Sequence, residues 1–121
     1  MSNYIVWLDS EHARLFEYSD GKVEKHHIAR HEPDHHTHNT HHDPKHSEHF
    51  FHQVCERLVH ANQVLLLGPT LARDHFQTHL TAHHHGDLAK KIVGSESLEH
   101  PTDNQVEAFA RKFFKEHQLF L

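Results

Sequence analysis

The chain has 121 residues, of which 36% are hydrophobic and 24% charged, and this composition predicts one soluble domain with its own core. It contains one cysteine, which excludes an internal disulfide framework, and no apolar run approaches the roughly eighteen residues of a membrane-spanning helix. We expect a cytoplasmic protein, because the opening MSNYIVWLDS also lacks the basic region of a signal peptide.

Histidine dominates the ionisable composition. There are 20 histidines beside 12 Lys and Arg and 17 Asp and Glu, and the formal net charge of -5 counts every imidazole as neutral. Because an unperturbed histidine has a pKa of about 6.5, roughly a quarter of exposed imidazoles are protonated at pH 7 and about half at pH 6.5. We therefore expect any binding of a polyanion to depend on pH.

The first quarter of the chain is typical of an antiparallel meander. YIVWL at 4–8 and ARLFEY at 13–18 are rich in β-branched and aromatic residues, and DSEH joins them. Asp20-Gly21 is a hairpin signal that leads into a third strand between Val23 and Ile28.

A helix is predicted from Asp43-Pro44 to about Ala61, because Asp caps helix N-termini and Pro favours the first helical position. One face of this helix is apolar and is predicted to be buried: Phe51, Val54, Cys55 and Leu58. The opposite face is polar: His49, His52, Glu56 and His60. The apolar run QVLLLG at 63–68 then predicts a strand covered on both faces.

A second helix is predicted from Thr70 to about His84, and a short strand follows at 91–94. The predicted buried residues of that helix are Ala72, Phe76 and Leu80. Thr102 and Gln105 have capping-box spacing, and the last helix carries an apolar stripe formed by Val106, Phe109, Ala110 and Phe113.

The predicted order is βββαβαβα, which indicates a single α/β domain over residues 1–121. Helical crossovers join parallel strands with right-handed geometry. The meander should therefore extend one side of a five-stranded mixed sheet and the βαβ units the other, giving strand order 3-2-1-4-5 and a ribonuclease H-like topology.

Three stretches carry a family resemblance: VWLDSEHARLFEYSDGKV near the start, ANQVLLLGPTLARDHFQTHL at 61–80 and TDNQVEAFARKFF at 102–114. They resemble small bacterial proteins related to the middle domain of archaeal and eukaryotic class-1 peptide chain release factors, often called translational machinery proteins. The family pattern has Asp, Gly and Lys where this chain has Asn62, Thr70 and Arg73. The resemblance implies a contact with the ribosome or its RNA.

In release factors this domain carries a Gly-Gly-Gln loop between its third strand and the next helix. The same topological place here holds ARHEPDHHTHNTHHD at 29–43, and the chain contains no Gly-Gly pair. The resemblance therefore implies that the position of the loop is retained while peptide release by the release-factor mechanism is not.

Residues 31–52 hold nine histidines, and their density predicts a site for divalent transition metals. Neutral imidazole suits zinc, nickel, copper or cobalt, and i, i+3 spacing on a helix places two imidazoles on one face. The candidate ligands are His35, His36, His38, His41, His42, His46, His49 and His52. Two alternatives remain open for this segment, namely a solvated loop and a proton-sensitive contact with nucleic acid. No organic cofactor is expected.

Other patterns have a structural interpretation beside the functional one. His75, His79 and His83 recur every fourth residue, which suits either ligands or a polar cover for the core. Gly68-Pro69-Thr70 before a helix suits either an anion site or a tight turn. Basic residues near the C-terminus suit either an RNA patch or solvated helix exteriors: Lys90, Lys91, Arg111, Lys112 and Lys115.

A two-metal nuclease on this fold would need carboxylates after the first and fourth predicted strands and on the first helix. Asp9 with Glu48 or Glu56 would supply two, but Leu67-Gly68-Pro69 supplies none, and Asp9 is also a good turn residue. The sequence thus favours a non-enzymatic, ribosome-associated translation protein with a metal-binding histidine loop. The alternative is a dedicated metal-binding or metal-buffering protein.

Overall fold

The computed structural model describes residues 2–30, 44–83 and 85–119, with the side chains of 44–47 also outside the described set. Strands β1 (Ser2–Leu8), β2 (His12–Ser19) and β3 (Lys22–Ala29) form the predicted antiparallel meander. At the β1–β2 connection, Asp9 Oδ1 accepts hydrogen bonds from the backbone N–H groups of Glu11 (2.8 Å) and His12 (2.7 Å). Asp9 is therefore a turn residue.

The second hairpin depends on Asp20-Gly21. Both residues have positive φ angles, 52° and 77°, as a tight two-residue turn between twisted strands requires. The pairing runs from Ser19 opposite Lys22 to His12 opposite Ala29. The hairpin predicted from the sequence is confirmed.

Strand β4 (Ala61–Leu67) lies parallel to β1, and β5 (Ile92–Glu96) lies parallel to β4. The sheet order is β3-β2-β1-β4-β5, a mixed five-stranded sheet as predicted. Helices α1 (Pro44–Arg57), α2 (Thr70–Ala82), α3 (Gly86–Lys91) and α4 (Asp103–Glu116) complete the described elements. None of the described helices is long and apolar enough to cross a membrane.

Two details differ from the sequence prediction. Helix α3 was not predicted, because a six-residue helix that buries only Leu88 is too short to show a helical period. Helix α1 ends at Arg57 rather than near Ala61, and backbone turns from Leu58 to Cys55 and from Ala61 to Leu58 connect it to β4. At the last helix, the capping box between Thr102 and Gln105 is confirmed.

The core lies in two layers, one on each face of the sheet. Val64 and Leu66 of β4 face a layer to which α1, α2 and α3 contribute. Leu65 and Leu67 face the other layer, which α4 covers. All four side chains are fully buried, so β4 is covered on both faces, as its continuous apolar run predicts. The central strand of the sheet is β1, and β4 lies between β1 and β5, so the expectation that β4 is central is wrong.

A charged substitution in β4 tests whether this strand is buried on both faces. Leu66→Asp buries a carboxylate among apolar side chains, which should cost at least about 3 kcal/mol and remove or strongly lower the cooperative thermal transition. Leu71→Asp is the matched control, because Leu71 is 66% exposed on α2 and the change should stay within about 0.5 kcal/mol. Melting followed by circular dichroism measures both, and a wild-type melting curve for Leu66→Asp would contradict the burial of β4 on both faces.

Candidate functional site

Helices α1 and α2 share one face of the sheet, and their polar residues meet beside the core layer. Glu48, His49 and His52 of α1 line an open cavity of about 340 Å³ together with His79 and His83. The fold thus brings part of the histidine-rich segment next to part of the separate histidine pattern on α2. Sequence spacing alone did not connect the two patterns.

The structure places only some of the predicted ligands. His49 and His52 are exposed on α1, as their position opposite the apolar face predicts. His46 lies within α1, but its side chain is outside the described residues. The remaining candidates also lie outside the described residues, so their role stays a prediction: His35, His36, His38, His41 and His42.

Two histidines that line the cavity each contact a carboxylate of α1. His83 Nε2 lies 2.8 Å from Glu48 Oε1, which joins the end of α2 to α1. His52 Nε2 lies 3.1 Å from Glu56 Oε1, one turn along α1. Both carboxylates that the nuclease hypothesis would place on this helix therefore have histidine partners.

His79 is the buried member of the cluster. It is 7% exposed, its ring meets Phe51 edge-on at 5.5 Å, and its ring centroid lies 4.4 Å from that of His83. Burial is the main cause that lowers its pKa to about 4, and the nearby His83 and His85 add smaller contributions in the same direction. Glu48 opposes the shift. The imidazole is therefore neutral at pH 7, and its Nε2 is buried without a hydrogen-bond partner among the described residues.

Cys55 lies on α1, about one turn after His52, and is 4% exposed. Burial, with a smaller contribution from Glu56, raises the pKa of its thiol to about 12. Cys55, His79 and His85 each offer one ligand atom, and these three atoms lie within 4.8 Å of one another. The burial of Cys55 was predicted from the helical period, but no motif spacing indicated its approach to two histidines from other elements.

A second cluster, Glu17, Glu24 and His26, also groups metal-ligating atoms. It lies on β2 and β3, where His26 Nε2 is 3.3 Å from Glu17 and 3.9 Å from Glu24. Ser2 Oγ donates a further hydrogen bond to Glu17 and contributes most to lowering the pKa of its carboxyl. These contacts explain the cluster as a cross-strand ion pair.

The turn from β4 to α2 has a structural explanation. Gly68 has φ +134°, and a Cβ there would collide with the carbonyl oxygen of Leu8. Arg73 donates to the Gly68 carbonyl (2.8 Å), Ser95 Oγ (2.6 Å) and Thr70 Oγ1 (3.1 Å). Its guanidinium ties the turn to β5, which favours the tight-turn interpretation over an anion site.

The C-terminal basic residues are divided between two helices. Lys90 and Lys91 belong to α3, which lies on the face of the sheet that α1 and α2 cover, whereas α4 lies on the other face. On α4, Arg111 pairs with Glu107 at 3.8 Å, and Lys112 pairs with Glu116 at 3.9 Å. The five residues thus belong to helices on two faces of the sheet, and the ion pairs on α4 favour the solvated-exterior interpretation over an RNA patch.

The buried imidazole predicts a pH-dependent stability. Its folded pKa of about 4 lies below the 6.5 of an unfolded histidine, so the unfolded chain takes up a proton as pH falls below 6.5 while the folded chain does not. Stability is then lost between pH 6.5 and about 4, by up to roughly 3 kcal/mol from this group. His79→Leu should reduce that loss.

Urea unfolding between pH 7 and 5, in the presence of a chelator, measures the effect. The matched control is His75→Leu, since His75 is exposed on the same helix one turn earlier and its removal should leave the slope of stability against pH at its wild-type value. Equal slopes in His79→Leu and the wild type would show that His79 is not held neutral by burial.

No protein-family model matches the chain, and no curated protein matches it. Solved structures do. The Pelota protein of Thermoplasma acidophilum is 16% identical with a TM-score of 0.67, and the match covers 98% of this chain and 35% of that one. Pelota of Archaeoglobus fulgidus is 12% identical with a TM-score of 0.63, and the match covers 92% of this chain and 31% of that one.

The archaeal translation termination factor aRF1 is 15% identical with a TM-score of 0.60, and the match covers 97% of this chain and 41% of that one. The chain thus spans between 31% and 41% of the length of these three proteins. At such identities the likeness concerns the fold. The domain resembles one part of Pelota and of aRF1 in its architecture, as the sequence resemblance to release factors predicts.

Proposed function

We propose that the protein is a non-enzymatic accessory protein of translation that contacts the ribosome or its RNA. One observation carries the proposal: 97% of the chain has the fold of a part of aRF1, a translation termination factor. The same architecture recurs in two Pelota proteins. Since a fold alone does not determine a function, the proposal also depends on the segment that joins β3 to α1.

That segment separates the proposal from peptide release. Strand β3 ends at Ala29 and α1 begins at Pro44, and the resemblance to release factors implies a Gly-Gly-Gln loop between these two elements. Here the connecting sequence is rich in histidine and has no Gly-Gly pair. We infer that the protein retains a ribosomal contact without supplying the hydrolytic tripeptide.

Charge predicts how such a contact would respond to pH. The formal charge is -5 with neutral imidazoles, so the chain does not attract phosphate strongly at pH 7.5. Protonation of exposed imidazoles near pH 6 reverses this balance, and each added positive charge strengthens phosphate binding.

Co-sedimentation with ribosomes at pH 6 and pH 7.5, with and without a chelator, tests the proposal. We expect the protein in the ribosomal pellet, in larger amount at pH 6, and less of a variant with His35, His36, His38, His41 and His42 changed to alanine. In parallel, no peptide should be released from ribosome-bound peptidyl-tRNA, with a release factor as positive control. Absence from the pellet at both pH values, or peptide release, would contradict the proposal.

A second candidate function is metal binding or buffering by the histidine-rich segment. The supporting observation is that His49 and His52 are both exposed at i, i+3 spacing on α1, which places two imidazoles on one side of the helix. Seven further histidines precede them in the sequence 31–48. Zinc and nickel are the expected ions, because neutral imidazole is a good ligand for both.

Calorimetric titration with Zn²⁺ and Ni²⁺ tests this candidate. Only neutral imidazole coordinates, so affinity should fall between pH 7.5 and pH 5.5. The variant lacking the five loop histidines should bind fewer ions or bind them more weakly, and measuring it in a Cys55→Ser background removes any thiolate contribution. Unchanged metal binding in the variant would contradict this candidate and favour the interpretation of the histidine-rich segment as a solvated loop.

A further inference from the structure

We propose that Cys55, His79 and His85 form a site for one soft divalent transition-metal ion such as Zn²⁺. The three residues come from α1, from α2 and from the connection immediately before α3. Their ligand atoms lie within 4.8 Å of one another. Its three ligands lie outside the histidine-rich sequence 31–52, and the site does not depend on the proposed ribosomal role.

The ligand chemistry suits zinc. Cysteine sulfur and imidazole nitrogen bind Zn²⁺ at about 2.3 Å and 2.0–2.1 Å, so tetrahedral geometry spaces such ligands by about 3.3–3.6 Å. The observed distances exceed this spacing by at most about 1.5 Å. His85 is only partly buried and borders an open cavity of about 330 Å³ that Cys55 also lines, so its side chain has room for the adjustment.

An independent observation points to a ligand at this place. The Nε2 atom of His79 is buried and has no hydrogen-bond partner among the described residues, although buried polar atoms are nearly always paired. An ion bound there would give the orphaned imidazole the partner that the surrounding side chains do not provide.

The surroundings would allow a fourth ligand. His79 borders the open cavity that Glu48, His49, His52 and His83 also line. The ring of His52 lies 6.1 Å from that of His85, centroid to centroid, so either His52 or water can complete the coordination. Because the three protein ligands belong to separate elements, the bound ion would link α1, α2 and the start of α3 on one face of the sheet.

Cobalt(II) is a suitable probe, because its complexes with thiolates absorb light and Cys55 is the only cysteine in the chain that could supply a thiolate. A thiolate-to-cobalt charge-transfer band in the near ultraviolet would then report Cys55 ligation, whatever the loop histidines bind. We expect this band to saturate at one equivalent of Co²⁺ in the reduced full-length protein and to disappear when Zn²⁺ is added. Cys55→Ser should abolish it.

Two variants test the imidazole ligands. Removing even an outer-shell partner typically weakens metal affinity about 10–100-fold, so His79→Ala and His85→Ala should each weaken Co²⁺ binding at the thiolate site by at least about tenfold. His75→Ala is the control, as an exposed histidine on the helix that carries His79, and its affinity should equal that of the wild type. Circular dichroism of the metal-free variants checks folding. If His79→Ala does not fold, the affinity of His85→Ala, which changes a more exposed residue, decides the question.

The proposal is overturned if wild-type protein gives no charge-transfer band with Co²⁺, or if the band persists with wild-type affinity in His85→Ala. It is also overturned if Co²⁺ binds without that band and the binding is lost when the five loop histidines become alanine. That last outcome would assign metal binding to the loop alone.

Discussion

Burial of β4 on both faces is the constraint on which the rest of the described structure depends. Its side chains alternate between two core layers, so each face of the sheet needs a helical cover. Helices α1, α2 and α3 cover one face and α4 covers the other. Because α1 and α2 must bury their apolar stripes side by side, the histidines at the edges of those stripes meet. The histidine cluster is therefore a consequence of core packing.

Local patterns in the sequence were sufficient to predict most of the fold. The apolar run at 63–68, the Asp20-Gly21 hairpin and the Thr102 capping box are short-range signals, and each corresponds to one element of the structure. Helix α3 was missed because six residues contain too little periodicity. The contact among Cys55, His79 and His85 was also missed, since it depends on how three elements pack and no spacing along the chain encodes it.

The two proposed roles for histidine have different physical settings. Imidazoles such as His49 and His52 are exposed to solvent and suit contacts with a partner or with free metal. His79 is held neutral by burial, with a pKa of about 4, and suits a permanently bound ion. A domain with the architecture found in aRF1 and Pelota would in this account carry a structural metal in addition to a segment that binds partners.

Anomalous diffraction at the zinc absorption edge, from crystals grown with one equivalent of Zn²⁺, tests most directly that the packing of α1 against α2 builds a metal centre. The account predicts an anomalous peak about 2.3 Å from Cys55 Sγ and about 2.0–2.1 Å from a ring nitrogen of His79 and of His85. Zinc bound only at exposed histidines, with Cys55 and His79 unligated, would contradict it.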